Sequence, residues 1–197
     1  MKLPPNWNNI QPAGDGRRQL EPDAYLCQIF AVEIRNDKLV CDLDIVSGDF
    51  KDYFGKEYES RMERGGKAFW GLQHHVPINF DDPKNGAFFA SLFKRFVCKL
   101  EATNKDFKLS EDFSIKTFEN KRIVVLIYAV EKPYNGKIYQ NYRVAKEFSL
   151  KDLGEGKIPE SWIEDENGNR RKPNEPRPTP EPRNDDLEPV DDVDIPF

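Results

Sequence analysis

A mainly β domain with one helix, closed as a five-stranded barrel and followed by a disordered acidic C-terminal tail, is the fold this sequence predicts. Three observations predict it. Residues 24–45 and 122–148 alternate apolar and polar side chains at the two-residue period of strands. Between them, Phe88, Phe89, Leu92, Phe93, Phe96, Val97 and Leu100 recur at helical spacing. From residue 164 onward the chain turns to Pro, Asp and Glu and has almost nothing to bury.

Residues 1–22 are rich in Pro, Asn and Gly and show no period, so they read as an extended arm with Trp7 packing back on the domain. The domain itself is expected over 23–163. Its first strand, from Ala24 to Ile34, is apolar on both faces over much of its length. Asn36-Asp37 is a turn, and a second strand puts Leu39, Cys41, Leu43 and Ile45 on one face. Ser47-Gly48-Asp49 ends it. Residues 50–66 are polar and aromatic and carry no element. Lys67 to Gln73 is expected as a third strand. Asp81-Asp82-Pro83 offers helix-start chemistry, and the helix is expected from Ala87 to Ala102. After a polar connection, Arg122 to Lys132 is a strand. Pro133-Tyr134-Asn135-Gly136 turns it, Asn-Gly supplying the φ > 0 pair, and the partner strand runs from Lys137 to Phe148. Three strands, one helix and two strands is the order of the Greek-key OB barrel, whose helix lies between strands three and four. Another small α+β sheet is the alternative. Seven prolines in the last 25 residues keep the segment 164–197 extended.

The net charge of −5 is unevenly placed. Residues 173–197 carry −6 and residues 1–172 carry +1, so a basic groove on the body is compatible with an acidic whole. No apolar run is long enough to span a bilayer, and no basic n-region precedes an apolar stretch, so neither a membrane nor secretion is expected. Cys27, Cys41 and Cys98 are odd in number and far apart, which suits buried free thiols in a reducing cytoplasm.

Single-stranded nucleic acid needs cations along the phosphates and flat side chains under the bases. The last hairpin offers both. Lys137, Tyr139, Asn141 and Arg143 fall on one face of its second strand, while Ile138, Tyr142, Val144 and Phe148 fall on the other and read as core. The preceding strand adds Arg122, Tyr128 and Lys132 in one alternation, and Tyr134 sits at the turn. Phe69 and Trp70, with Lys67 and Arg64 nearby, form a second candidate platform. Exposed tyrosines in strands can also reflect β-propensity alone.

Enzymatic readings find less support. Asp42-Leu43-Asp44, Asp81-Asp82 and Glu119-Asn120-Lys121 lie on a strand, a helix start and a loop, and no signature draws them to one metal. No phosphate loop or nucleophile elbow is present, and His74-His75 point in different directions. Neither an enzyme, a cofactor nor a metal is expected.

The chain ends Asp191-Asp192-Val193-Asp194-Ile195-Pro196-Phe197. Such a tip suits docking: Phe197 can fill an apolar pocket, its α-carboxylate can pair with a cation at the mouth, and Asp191, Asp192 and Asp194 can follow a basic rim, with Ile195 and Pro196 between. It closely resembles the C-terminal tip of bacterial and phage single-stranded DNA-binding proteins. The body resembles a phage group of that family more loosely, over about residues 20–160. The likeness rests on Gly48-Asp49-Phe50 with Tyr53-Phe54, on Phe93-Lys94-Arg95-Phe96 through Glu101-Ala102-Thr103-Asn104, on the Asn135-Gly136-Lys137 hairpin, and on Glu155 to Pro159. The resemblance implies an OB fold that coats single-stranded DNA with little sequence preference, in a bacterial host cytoplasm. It also implies a tip that recruits replication, recombination or repair proteins. It leaves room for a homo-oligomer and assigns no individual DNA contact. An interaction protein that mimics the tip to capture host repair enzymes, without binding DNA, is the alternative.

Overall fold

The computed structural model describes residues 19–67, 69–134 and 137–176, with Lys137 described only in its backbone. The mainly β expectation holds. Among the described residues seven strands form one sheet: β1 (Ala24–Arg35), β2 (Lys38–Ile45), β3 (Gln73–Pro77), β4 (Arg122–Tyr134), β5 (Lys137–Phe148), β6 (Ile163–Glu164) and β7 (Arg170–Arg171). The first five lie in the spatial order β3-β2-β1-β4-β5. β1 serves two partners in succession. Ala24–Gln28 pair with β4, Cys27–Arg35 pair with β2, and a register shift between Ile29 and Ala31 marks the change. A strand buried on both faces at its start can sit between two neighbours, which is why its sequence lacks clean alternation.

The sheet is not closed by a ladder. β3 and β5 face each other across a seam that side chains bridge, without backbone pairing between them. The sheet is thus open between β3 and β5, and the expectation of a single helix needs correction. Among the described residues there are three α-helices: α1 (Tyr53–Glu63), α2 (Gly86–Thr103) and α3 (Leu150–Gly154). Only α2 was legible in advance. α1 carries one buried residue, Phe54, and has Gly55 in its first turn, so its sequence lacks both apolar stripe and propensity. Tertiary structure starts it instead. The buried Asp44 carboxylate accepts from the Phe54 and Gly55 amides at 3.0 and 2.8 Å, filling the place of an N-cap. A Cβ on Gly55 would stand 2.9 Å from Asp44 Oδ2, so the close approach requires glycine. α3 is a single turn fixed by a reciprocal capping box between Ser149 and Asp152.

The third strand also moves, from the expected Lys67–Gln73 to Gln73–Pro77. Its register partners are Lys38–Asp42 of β2. The folded body runs beyond 23 and 163 at both ends. Leu20 is buried in the core, where its carbonyl accepts from Tyr142 Oη at 2.9 Å, and the sheet continues through β7 to Arg171.

Two apolar clusters flank the sheet. The larger gathers Ile29, Leu43, Ile45, Ile123, Val125 and Ile127 with Phe54, Phe96, Leu100 and Phe118. Phe118 is fully buried at the end of a 3₁₀ turn (Ile115–Phe118), with the rings of Phe93, Phe96, Phe107 and Phe113 within 6.2 Å of its own. The smaller cluster, on the opposite face, holds Val124, Leu126 and Phe148 under Ile158 and Trp162. Phe148 thus departs from the face it shares in sequence with Tyr142 and Val144. A bulge at Ala145, where the register slips against Leu126 and Ile127, inverts the alternation. Cys27 and Cys41 are buried, and burial pushes both thiols up, Cys41 to about 12, whereas Cys98 is exposed.

Candidate nucleic-acid interface

The hairpin register places most of the predicted residues together. Tyr128 pairs with Arg143, Lys132 with Tyr139 and Tyr134 with Lys137, so all six positions share one face of β4–β5. Tyr134 and Tyr139 are exposed and meet edge to face at 6.2 Å. Arg143 and Lys132 are exposed and make no ion pair with a described residue. Two of the expected residues are not available in this way. The Tyr128 ring is stacked on Trp162, centroids 4.9 Å apart and 21° between planes. Arg122 shares the alternation but lies six residues from Tyr128, about 20 Å along the strand, beyond the covered cluster of Val124 and Leu126. Its backbone is pinned by Asn104, and it belongs to another part of the surface.

The second platform is larger than the sequence indicated. Phe69 is 60 % exposed, with the Arg61 guanidinium 4.2 Å from its ring centre. Trp70 is half-buried, and its Nε1 donates to the Leu43 carbonyl at 2.6 Å, which orients the indole. Phe30 and Tyr58 flank that indole at 5.5 and 5.6 Å. These four aromatics, with Arg35, Asp42 and Gln73, line a cleft of about 620 Å³. Phe30 reads in sequence as one more strand residue and Tyr58 lies in a helix with no apolar stripe, so neither carried a signal. Arg64 and Lys67 are exposed in the loop leading to Phe69.

The two platforms are joined. A second cleft, about 570 Å³, occupies the seam between β3 and β5. It shares Trp70 and Gln73 with the aromatic cleft, and Arg143 and Tyr128 belong to its lining. A third, about 600 Å³, begins at the same Arg143 and ends at Lys132 and Pro133 of the hairpin. Three adjoining clefts, together termed the groove, therefore share walls in succession from Phe30 and Phe69, through Trp70 and Gln73, to Arg143 and Lys132. Its electrostatics are mixed. Arg35 pairs with Glu33 at 2.9 Å and Arg61 with Glu57 at 3.0 Å, while Glu164, Asp165 and Glu166 border the hairpin end.

At the seam, Glu147 is buried and grips Arg95 through Nε at 2.5 Å and Nη2 at 3.3 Å. His74 Nε2 lies 3.5 Å from Glu147 and has no hydrogen-bond partner among the described residues. Burial holds the His74 imidazole neutral and lowers its pKa to about 4; the carboxylate that would favour the cation is already matched by Arg95. The unfolded chain takes up this proton near pH 6.5 and the folded one only near 4. Stability is therefore full above pH 6.5 and falls as pH drops toward 4, by up to about 3 kcal/mol. Urea denaturation at pH 7, 5.5 and 4.5 checks this: His74→Gln should flatten the loss, and an unchanged slope would place its origin elsewhere.

The docking residues Asp191, Asp192, Asp194, Ile195, Pro196 and Phe197 lie outside the described residues. Among the described residues no helix is long and apolar enough to cross a membrane. Comparison of the chain with protein-family models and with curated proteins finds no match in either.

Proposed function

We propose that this protein binds single-stranded DNA with little sequence preference along the groove between its two aromatic platforms. The observation that carries the reading is the succession of adjoining clefts. Phe30, Trp70 and Phe69 at one end and Arg143 and Lys132 at the other are linked through shared walls, with Tyr139 paired to Lys132 and Tyr134 beside it on the hairpin. Every base has a π-face, so a row of aromatics accepts any sequence. The strand order β3-β2-β1-β4-β5, with α2 between β3 and β4, supports an OB-like barrel whose last seam is bridged by side chains. The acidic tip supports a second role: Phe197 docks into replication, recombination or repair proteins, in the cytoplasm of a bacterial host. Between engagements the −6 tail competes with DNA for the basic residues of the groove.

Because several arginines of the groove are already paired, stacking outweighs phosphate contact in this reading. Fluorescence titration with oligo-dT tests it. Base stacking on Trp70 should quench tryptophan emission. With two to four cations engaged, log K should fall against log[salt] with a slope of about −1.5 to −3. Absence of binding at low salt would sink the proposal, and a slope near −8 would replace stacking by an electrostatic mode. Deleting residues 189–197 should raise DNA affinity and abolish partner capture.

A further inference from the structure

We infer that Trp162 fills a nucleobase site, and that single-stranded DNA exchanges a base for its indole; the inference rests on the DNA-binding reading. The indole is sandwiched. Tyr128 lies flat against one face at 4.9 Å, and the Arg170 guanidinium lies 4.5 Å from the ring centre. An aromatic on one side and a guanidinium on the other is the arrangement by which proteins clamp an unpaired base. The flat indole covers the area that a base of either class would stack on. The location fits as well, since Tyr128 pairs with Arg143 on the hairpin face and both border the groove.

Trp162 is not held as a core tryptophan is. Its Nε1 is buried yet finds no acceptor among the described residues, whereas a buried indole N–H ordinarily has one. Its backbone is secured independently of the ring. Ser161 Oγ donates to the Ile127 carbonyl, the Trp162 carbonyl accepts from Ala129 N at 3.2 Å, and β6 runs parallel to Ala129–Val130. Beyond it, Arg171 is tied to Glu131 at 2.7 Å. The indole can therefore swing out about its own side-chain torsions while the strand pairing stays in place. A base entering between Tyr128 and Arg170 recovers both stacking contacts, and the displaced N–H reaches water.

The chain has three tryptophans, so Trp7→Phe/Trp70→Phe leaves Trp162 as the only emitter. This variant is titrated with labelled oligo-dT, reading DNA anisotropy and acrylamide quenching of Trp162 together. Binding accompanied by at least a two-fold rise in the quenching constant is expected. Binding with no change in quenching overturns the exchange, and no anisotropy change in any variant overturns the DNA-binding reading itself. In the wild-type background, Trp162→Ala should bind oligo-dT about five-fold more tightly, because no indole competes for the site. Adding Tyr128→Ala should cancel that gain, and equal or weaker binding by Trp162→Ala overturns the inference. Should Trp162→Ala fail to fold, Arg170→Ala loosens the same sandwich from its exposed side. There, easier Trp162 quenching in the free protein supports the exchange, and quenching unchanged by Arg170→Ala with or without DNA overturns it.

Discussion

Replacing Phe30 and Phe69 together with alanine should weaken oligo-dT binding by about two orders of magnitude or more while leaving the fold intact. Both rings are about half exposed or more, at 49 % and 60 %, so little core packing is lost with them. Phe30 is one wall of the Trp70 cage, and Phe69 is the platform under Arg61. At ~1–3 kcal/mol for each base that loses its stacking partner, the pair is worth about 2–6 kcal/mol of binding. Circular dichroism and the urea midpoint should match wild type, and the titration should not. If affinity is unchanged, DNA does not run through the aromatic end of the groove, and the hairpin would have to carry binding alone.

Phe118→Ala should cost about 3–5 kcal/mol of folding stability, enough to unfold a domain of ordinary stability under mild denaturant. Phe118 is fully buried, and four other phenylalanines surround it, drawn from α2 and from the segment between α2 and the 3₁₀ turn. Deleting its ring leaves a cavity whose walls are aromatic and stiff, so the site collapses poorly. Phe118→Leu retains much of the volume and should lose less than half as much. The measurement is the urea midpoint of each variant at pH 7. Equal losses for Ala and Leu would mean that ring geometry, and not filled volume, holds this part of the core together.

The hairpin was the best-read part of the molecule, because a two-residue period and an Asn-Gly turn are local signals. Tyr139 and Arg143 were read onto one face of the second strand and Lys132 onto one alternation of the first, and the register brings both sets, with Tyr134, onto a common face. The same reasoning failed at Phe148, since a bulge adds one residue and reverses every later position. α2 was legible from its stripe, although Phe88 of that stripe is 61 % exposed. α1 was not, because the carboxylate that starts it belongs to β2, ten residues upstream, and the helix itself carries neither an apolar stripe nor a capping side chain.

The sequence by itself determined the mainly β class, the long helix before the last hairpin, the division of charge between body and tail, and the placement of Tyr139 and Arg143 on one face of the hairpin. Each is a property of a short window: a period, a turn dipeptide, a count. Tertiary structure alone decided that the platforms share a groove, that Phe30 and Tyr58 complete the cage around Trp70, and that Trp162 lies on Tyr128. Those relations join residues from 12 to 40 positions apart. They exist only once the sheet curls and brings β3 opposite β5, and burial of two separate apolar clusters is what curls it.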